Sequence, residues 1–222
     1  MNRITAKTFS SLGAALILSG MMTGCTVFPS KEAPRVMDFP VPEGLKISDI
    51  ARSQSLRIDT PSASEPFNSK RILAKPEPWE FRVYSGVRWR DTTPVILRDM
   101  LTGAFRATAG FDDVIMDTGP GNADLTLATE ITAFHTLSHG DGTRATIAIY
   151  AQLITNRSRT TLCSRSFTVS ALAKDNSIDS IIQAFGNAGE KLAEGVIGWA
   201  KACEAGPAQS FSGNRSGQAA LM

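Results

Sequence analysis

Between residues 124 and 173 apolar and polar residues alternate in three successive runs. Leu125, Leu127, Ile131 and Ala133 share one parity in Asp124–Leu137, and Ile147, Ile149, Ala151 and Leu153 share one in Thr143–Thr155. Phe167, Val169 and Ala171 do so in Thr160–Ala173. Period two predicts three long strands of a sheet with one covered face. His139-Gly140-Asp141-Gly142 between the first two is a hairpin turn. Upstream, Leu56–Thr60, Arg71–Lys75 and Glu80–Tyr84 read as shorter strands separated by Pro- and Ser-rich turns.

Two segments change to helical spacing. Thr93 as N-cap and Pro94 at the first helical position open one helix. Leu97, Leu101, Ala104, Phe105 and Thr108 form its apolar face, and Gly110 ends it. The second runs from about Ser177 to Cys203, with Ile178, Ile181, Ile182, Phe185, Leu192, Val196, Trp199 and Cys203 as its stripe. Gly186, Gly189, Gly195 and Gly198 weaken this helix by about 1 kcal/mol each relative to Ala, and are expected to permit close approach to the sheet. The expected fold is α+β and two-layered: a mostly antiparallel sheet with two principal helices on one face.

The N-terminus carries an address. Arg3 and Lys7 precede an apolar run from Leu12 to Leu18, too short for the roughly 20 residues that span a bilayer. Small residues then lead to Thr23-Gly24-Cys25, which resembles a bacterial lipobox, with Met22 where Leu is usual. Residues 1–24 are read as a lipoprotein signal peptide, and Cys25 as the first residue of the mature chain, carrying acyl groups such as palmitate. Two or more acyl chains hold a protein firmly at a membrane, where one holds it marginally.

Residues 25–50 carry Pro29, Pro34, Pro40 and Pro42 with little periodicity and read as a tether, at most ~80 Å long. Residues 51–204 form the expected body, and 205–222, rich in Gly, Ser, Ala and Gln, a disordered tail.

Charge adds little. Removing 1–24 from the 222 residues leaves 198 and takes away Arg3 and Lys7, so Lys+Arg falls from 23 to 21 against 21 Asp+Glu. A formal charge of 0 offers no electrostatic footprint for nucleic acid. Lipidation of Cys25 leaves Cys163 and Cys203, which an oxidising compartment allows to pair. Strand parity points Cys163 to the covered face, and Cys203 lies on the helix stripe. The alternative is two buried thiols.

Catalytic motifs are missing: no G-x-S-x-G, G-x-x-x-x-G-K-[ST] or H-E-x-x-H occurs. No cofactor is implied. His135 and His139 share parity before a turn, and without a joining cysteine or carboxylate cluster a solvated hairpin is preferred to a metal site. Asp112, Asp113 and Asp117 read as a polar loop rather than a calcium site. Arg82, Arg88, Trp89 and Arg90 make a basic–aromatic cluster with two readings. One is contact with lipid headgroups or an acidic partner. The other has Trp89 plugging the helix–sheet junction, preferred for that residue, with the arginines solvated.

Arg71-Ile72, Trp79–Tyr84, Gly86-Val87-Arg88-Trp89 and Pro94-Val95-Ile96-Leu97 with Leu101 together resemble the ABC-type transport auxiliary lipoproteins, the family that includes the PqiC-like membrane-integrity transporter subunits. The resemblance covers roughly residues 25–203. The family's first strand begins soon after the anchor, and here Arg35-Val36-Met37-Asp38-Phe39 is the segment that could serve. The resemblance implies a non-enzymatic subunit of an envelope lipid-transport system, whose partners would be an MCE-domain periplasmic protein and its ABC permease and ATPase. Thr26 after the anchor is associated, in such lipoproteins, with sorting to the outer membrane. Self-association is left open. The competing readings are an unrelated outer-membrane assembly lipoprotein of similar architecture and a lipidated periplasmic hydrolase.

Overall fold

The strand that organises the molecule is β7, Leu125–His139, because both of its edges are used. The computed structural model describes residues 32–48, 51–140 and 142–203. Cys25, the signal segment and the tail 205–222 lie outside them. The elements in chain order are β1 Arg35–Met37, β2 Arg52–Ile58, β3 Leu73–Glu77, β4 Glu80–Val83, β5 Val87–Trp89, α1 Thr93–Thr108 and β6 Phe111–Met116, then β7, β8 Gly142–Thr155, β9 Thr160–Leu172 and α2 Ile178–Ala202. One edge of β7 pairs antiparallel with β8 over its whole length, and β8 pairs likewise with β9. The other edge is shared by two short strands, β2 beside Leu125–Leu127 and β3 beside Thr136, both parallel. β6 adds to β2 in parallel and β4 to β3 antiparallel, while β1 and β5 make a separate parallel pair. The sheet is therefore mixed: its long pairings are antiparallel, its short ones parallel. Both helices cover one face, and the fold is α+β.

A bulge corrects the alternation along β7. Ile131 faces Ile149 and Ala133 faces Ala148, so Thr132 has no opposite number and parity shifts by one. Phe134, not Ala133, consequently joins Leu125, Leu127 and Ile131 beneath the helices, and His135 turns to the opposite face. The α1 stripe is buried as its spacing implies, and in the α2 stripe Ile181, Phe185, Leu192, Val196 and Cys203 are buried while Ile178, Ile182 and Trp199 are half-buried. The ends of α1 differ: Thr92 is the N-cap, without a side-chain cap bond, and Ala109 takes the left-handed turn at φ 48° rather than Gly110. Asp112 and Asp113 lie in β6, not in a loop; they point outward while Phe111 and Val114 are buried.

The folded unit begins at Pro34. From Arg35 onward, the segment expected to be tether is a strap laid along the groove between α1 and α2. Arg35 pairs with Asp179 at the start of α2 at 2.6 Å. Phe39, 3% exposed, packs edge-on to Trp89 and Phe134. Ser48 donates its N–H to the Thr108 carbonyl at 2.7 Å and accepts from Lys201 Nζ. The helix glycines answer to the strap more than to the sheet. A Cβ on Gly189 would meet Phe39 Cζ at 2.6 Å, one on Gly103 a Val41 methyl at 2.6 Å, and one on Gly186 would touch Pro40 at 3.7 Å. A Cβ on Gly195 would stand 3.6 Å from the Phe167 ring of the sheet, and one on Gly198 would meet open space.

Candidate functional site

The basic–aromatic cluster does not exist as a surface. Trp89 is fully buried, edge-on to Phe39, Phe134 and Phe185, with its Nε1 unpartnered, and so touches neither headgroup nor partner. Adjacent strand residues face opposite ways, and the arginines each find distant or local partners. Arg82 bonds Glu80 at 2.7 Å. Arg88 donates to the Trp89 carbonyl at 3.1 Å.

Arg90 is the first rung of an internal charge ladder. It donates to Asp38 of the strap and to Asp99 of α1, both at 2.6 Å. Arg98 also holds Asp99, at 2.8 Å, and reaches Asp117 at 3.4 Å and Thr60 Oγ1 at 2.9 Å. Burial works to raise the Asp99 carboxyl, but hydrogen bonds and charge from Arg90 and Arg98 outweigh it and hold it below the usual range. At Asp117 burial is likewise outweighed, by the Thr60 backbone N–H and hydroxyl and by Arg98. The ladder fastens the strap to the body; its arginines are occupied.

A different assembly stands at the β3–β4 hairpin. Phe67, in the connection from β2 to β3, packs against the sheet face away from the helices. There Phe67 stacks on His135 at 6.2 Å, and Phe81 of β4 meets both rings edge-on at 5.5 Å. Lys75 Nζ lies 5.3 Å over the Phe81 ring. Beside them lies an open pocket of about 410 Å³, lined by Lys75, Pro76, Glu77, Pro78, His135, Leu137 and Ser138. At the hairpin tip Trp79 is 82% exposed.

His135 is thus not a solvated hairpin residue: it is 5% exposed, with Nδ1 unpartnered. Burial, and secondarily the Lys75 charge, push its pKa down to about 4, so the imidazole is neutral at pH 7. The side chain of His139 lies outside the described residues. Among the described residues no three His, Cys, Asp or Glu side chains gather as a metal site. Cys163 of β9 and Cys203 after α2 are joined by a disulfide, Cα–Cα 6.1 Å.

His135 has a stability consequence with a definite sign. The unfolded chain binds the His135 proton below about 6.5, the folded chain only below about 4. Between these values the unfolded state holds more protons, so stability falls as pH drops from 6.5 toward 4 and is flat above. Because the ring borders an open pocket, the expected loss is on the order of 1–2 kcal/mol. Urea titrations at pH 7.5 and 5 would measure it, and His135→Phe should remove this slope. A wild-type stability unchanged over that window would contradict the buried neutral ring.

Fold and site define an α+β domain with helices on one face of a mixed sheet and an aromatic hairpin at one end. A family model described as ABC-type transport auxiliary lipoprotein component matches residues 40–196, and the chain belongs to that family. A crystallised Xanthomonas campestris protein of the DUF330 family is similar at 26% identity and a TM-score of 0.65, over 77% of this chain and 94% of its own. A second solved structure, of an uncharacterized protein, reaches a TM-score of 0.60 at 13% identity over 75% of this chain and 97% of its own, a likeness of fold alone. None of the curated proteins matches this chain. No described helix is long and apolar enough to cross a membrane.

Sequence reasoning missed the Phe67–Phe81–His135 group and the exposure of Trp79. The bulge hid the first. Pro76-Glu77-Pro78-Trp79 was a visible sign of the second, since a tryptophan in a Pro-flanked turn has few neighbours to cover it.

Proposed function

We propose that this chain is a non-enzymatic auxiliary subunit of an envelope ABC/MCE-type lipid-transport system, anchored by acyl groups on Cys25 and facing the periplasm from the outer membrane. The observation that carries the reading is the family match over residues 40–196, on a body whose first strand begins ten residues after the lipobox cysteine. The subunit contributes to membrane integrity by holding partner proteins, with an MCE-domain protein, its permease and its ATPase as the complex it joins. Energy for transport comes from the ATPase. Arg82 and Arg90 already carry carboxylate partners, so charge at these positions contributes less to partner binding than their sequence clustering implies.

The test is recovery of the lipidated chain from crosslinked envelopes. An MCE-domain protein and ABC components are expected among the captured proteins, and a deletion strain should be sensitised to detergent. Capture of no transport component, together with ester or glycan hydrolysis by the purified body, would overturn the reading.

A further inference from the structure

The chain enters its fold at one end of the sheet. Arg35 donates its backbone N–H to the Gly86 carbonyl at 2.9 Å, and its guanidinium holds Asp179 in the first turn of α2. Thr143, near the start of β8, bonds Asn176 just before α2 at 2.8 Å, which puts the β7–β8 end beside the start of that helix. β3 runs parallel to β7 with Ala74 opposite Thr136, so Glu77, Pro78 and Trp79 project toward the same end. Leu172 closes β9 there, opposite Arg144 near the start of β8.

Apolar exposure is concentrated at this end. Of the seven large hydrophobic residues exposed among the described residues, four belong to it: Trp79 at 82%, Val36 at 53%, Leu172 at 47% and Phe81 at 38%, while Val83 lies opposite Leu73 at the other end of the hairpin. Trp79, Phe81 and Val83 sit on the outermost hairpin, since β4 pairs with β3 and with no further described strand. Cationic groups stand among them: Lys75 beside Phe81, and exposed Lys174 two residues past Leu172.

The leash selects what covers this surface. Cys25 is ten residues from Arg35, a span of at most ~35 Å when fully extended. The 25 residues of α2 cover about 37 Å, so the leash is no longer than the domain's own long helix. An acyl group on Cys25 therefore holds Arg35 within about 35 Å of the bilayer, which favours contact through the Arg35 end. Trp79 stands at a turn between Pro78 and Glu80, with Glu80 held by Arg82 and with Lys75 behind Glu77, and a tryptophan so exposed beside Phe81 settles at headgroup depth.

We infer that the β3–β4 hairpin, with Trp79 at its tip, docks on the lipid headgroup region of the membrane that holds the anchor. This rests on the lipidation of Cys25. Docking fixes the body upright, with the end at Cys203 directed away from the bilayer.

The lipidated full chain, reconstituted into phosphatidylethanolamine–phosphatidylglycerol vesicles containing a headgroup-level nitroxide lipid, gives the test. Trp79 is one of three tryptophans, and Trp89 is fully buried. The nitroxide should remove about a third of the emission, and Trp79→Phe should abolish that loss while flotation with the vesicles is unchanged. If the chain floats but its Trp79 emission is unquenched by nitroxide, whether it stays open to acrylamide or is shielded from it by another copy of the chain, the docking inference fails alone. If Cys25 carries no acyl mass and the chain stays out of the vesicles, the anchor reading fails and docking with it.

Discussion

Phe39→Ala should destabilise the folded body by about 3–5 kcal/mol, the range for removing a fully packed aromatic from a core. The size of that effect decides whether residues 35–48 are tether or fold, because a side chain on a solvated tether would cost almost nothing. A sharper check is its coupling to α2. Gly189→Ala alone should destabilise by about 1–3 kcal/mol, since the new methyl would stand 2.6 Å from Phe39 Cζ. In the Phe39→Ala background the same change should become neutral or favourable by up to about 1 kcal/mol, as Ala's helix preference is released. Urea denaturation of the four chains measures the cycle. Additive effects would mean that the strap does not sit where the structure puts it.

Those elements whose burial repeats along the chain were legible, and those held by distant partners were not. Strands β7, β8 and β9 and both helices expose their periods over a dozen residues or more. β1 and β5 have three residues each, too few to show a period. β6 carries Asp112 and Asp113 outward from the sheet's edge beside β2, so its polar positions imitate a loop. The strap is Pro-rich and aperiodic; its trace in the sequence lay instead in the glycines that receive it, Gly189 and Gly103. At the site, proximity in sequence misled for Arg82, Arg88, Trp89 and Arg90, since Arg90 is drawn to Asp38, 52 residues away, as well as to Asp99, nine residues on. His135 reads as solvated because it stands near a turn, but the bulge at Thr132 sets it on the face that Phe67 and Phe81 cover.

The strap also changes what an anchored subunit can reach. A tether of 25 residues would let the body wander up to ~80 Å, whereas ten residues allow ~35 Å. On the proposed reading, a body held that close cannot search the periplasm for its transporter. On that reading the transporter's periplasmic component would have to come to it, and, with the hairpin docked as inferred, the surface offered would be the one turned away from the membrane. With the faces so divided, the far end around the C-terminus of α2 would be the region whose order matters for partnership.

Breaking the disulfide should loosen that far end. Cys163 and Cys203 close a loop of 40 residues, worth about 3–4 kcal/mol in the chain-entropy model. The bridge is one of several restraints on the last turn of α2, the Lys201–Ser48 bond being another. Arg52, at the start of β2, donates to the carbonyls of Ala200 at 2.9 Å and Cys203 at 2.7 Å, satisfying acceptors that a helix end leaves open. Cys163→Ala with Cys203→Ala should therefore lower stability by about 3–4 kcal/mol without undocking the helix. Arg52→Met should cost about 1.5–3 kcal/mol on its own. Because both groups hold the same turn, the combined loss should fall short of the sum. Hydrogen exchange at residues 196–203 should rise in each variant and most in the triple one. Thiol titration of the unfolded, unreduced chain should find neither Cys163 nor Cys203 reactive; two reactive thiols there would show that the bridge does not form.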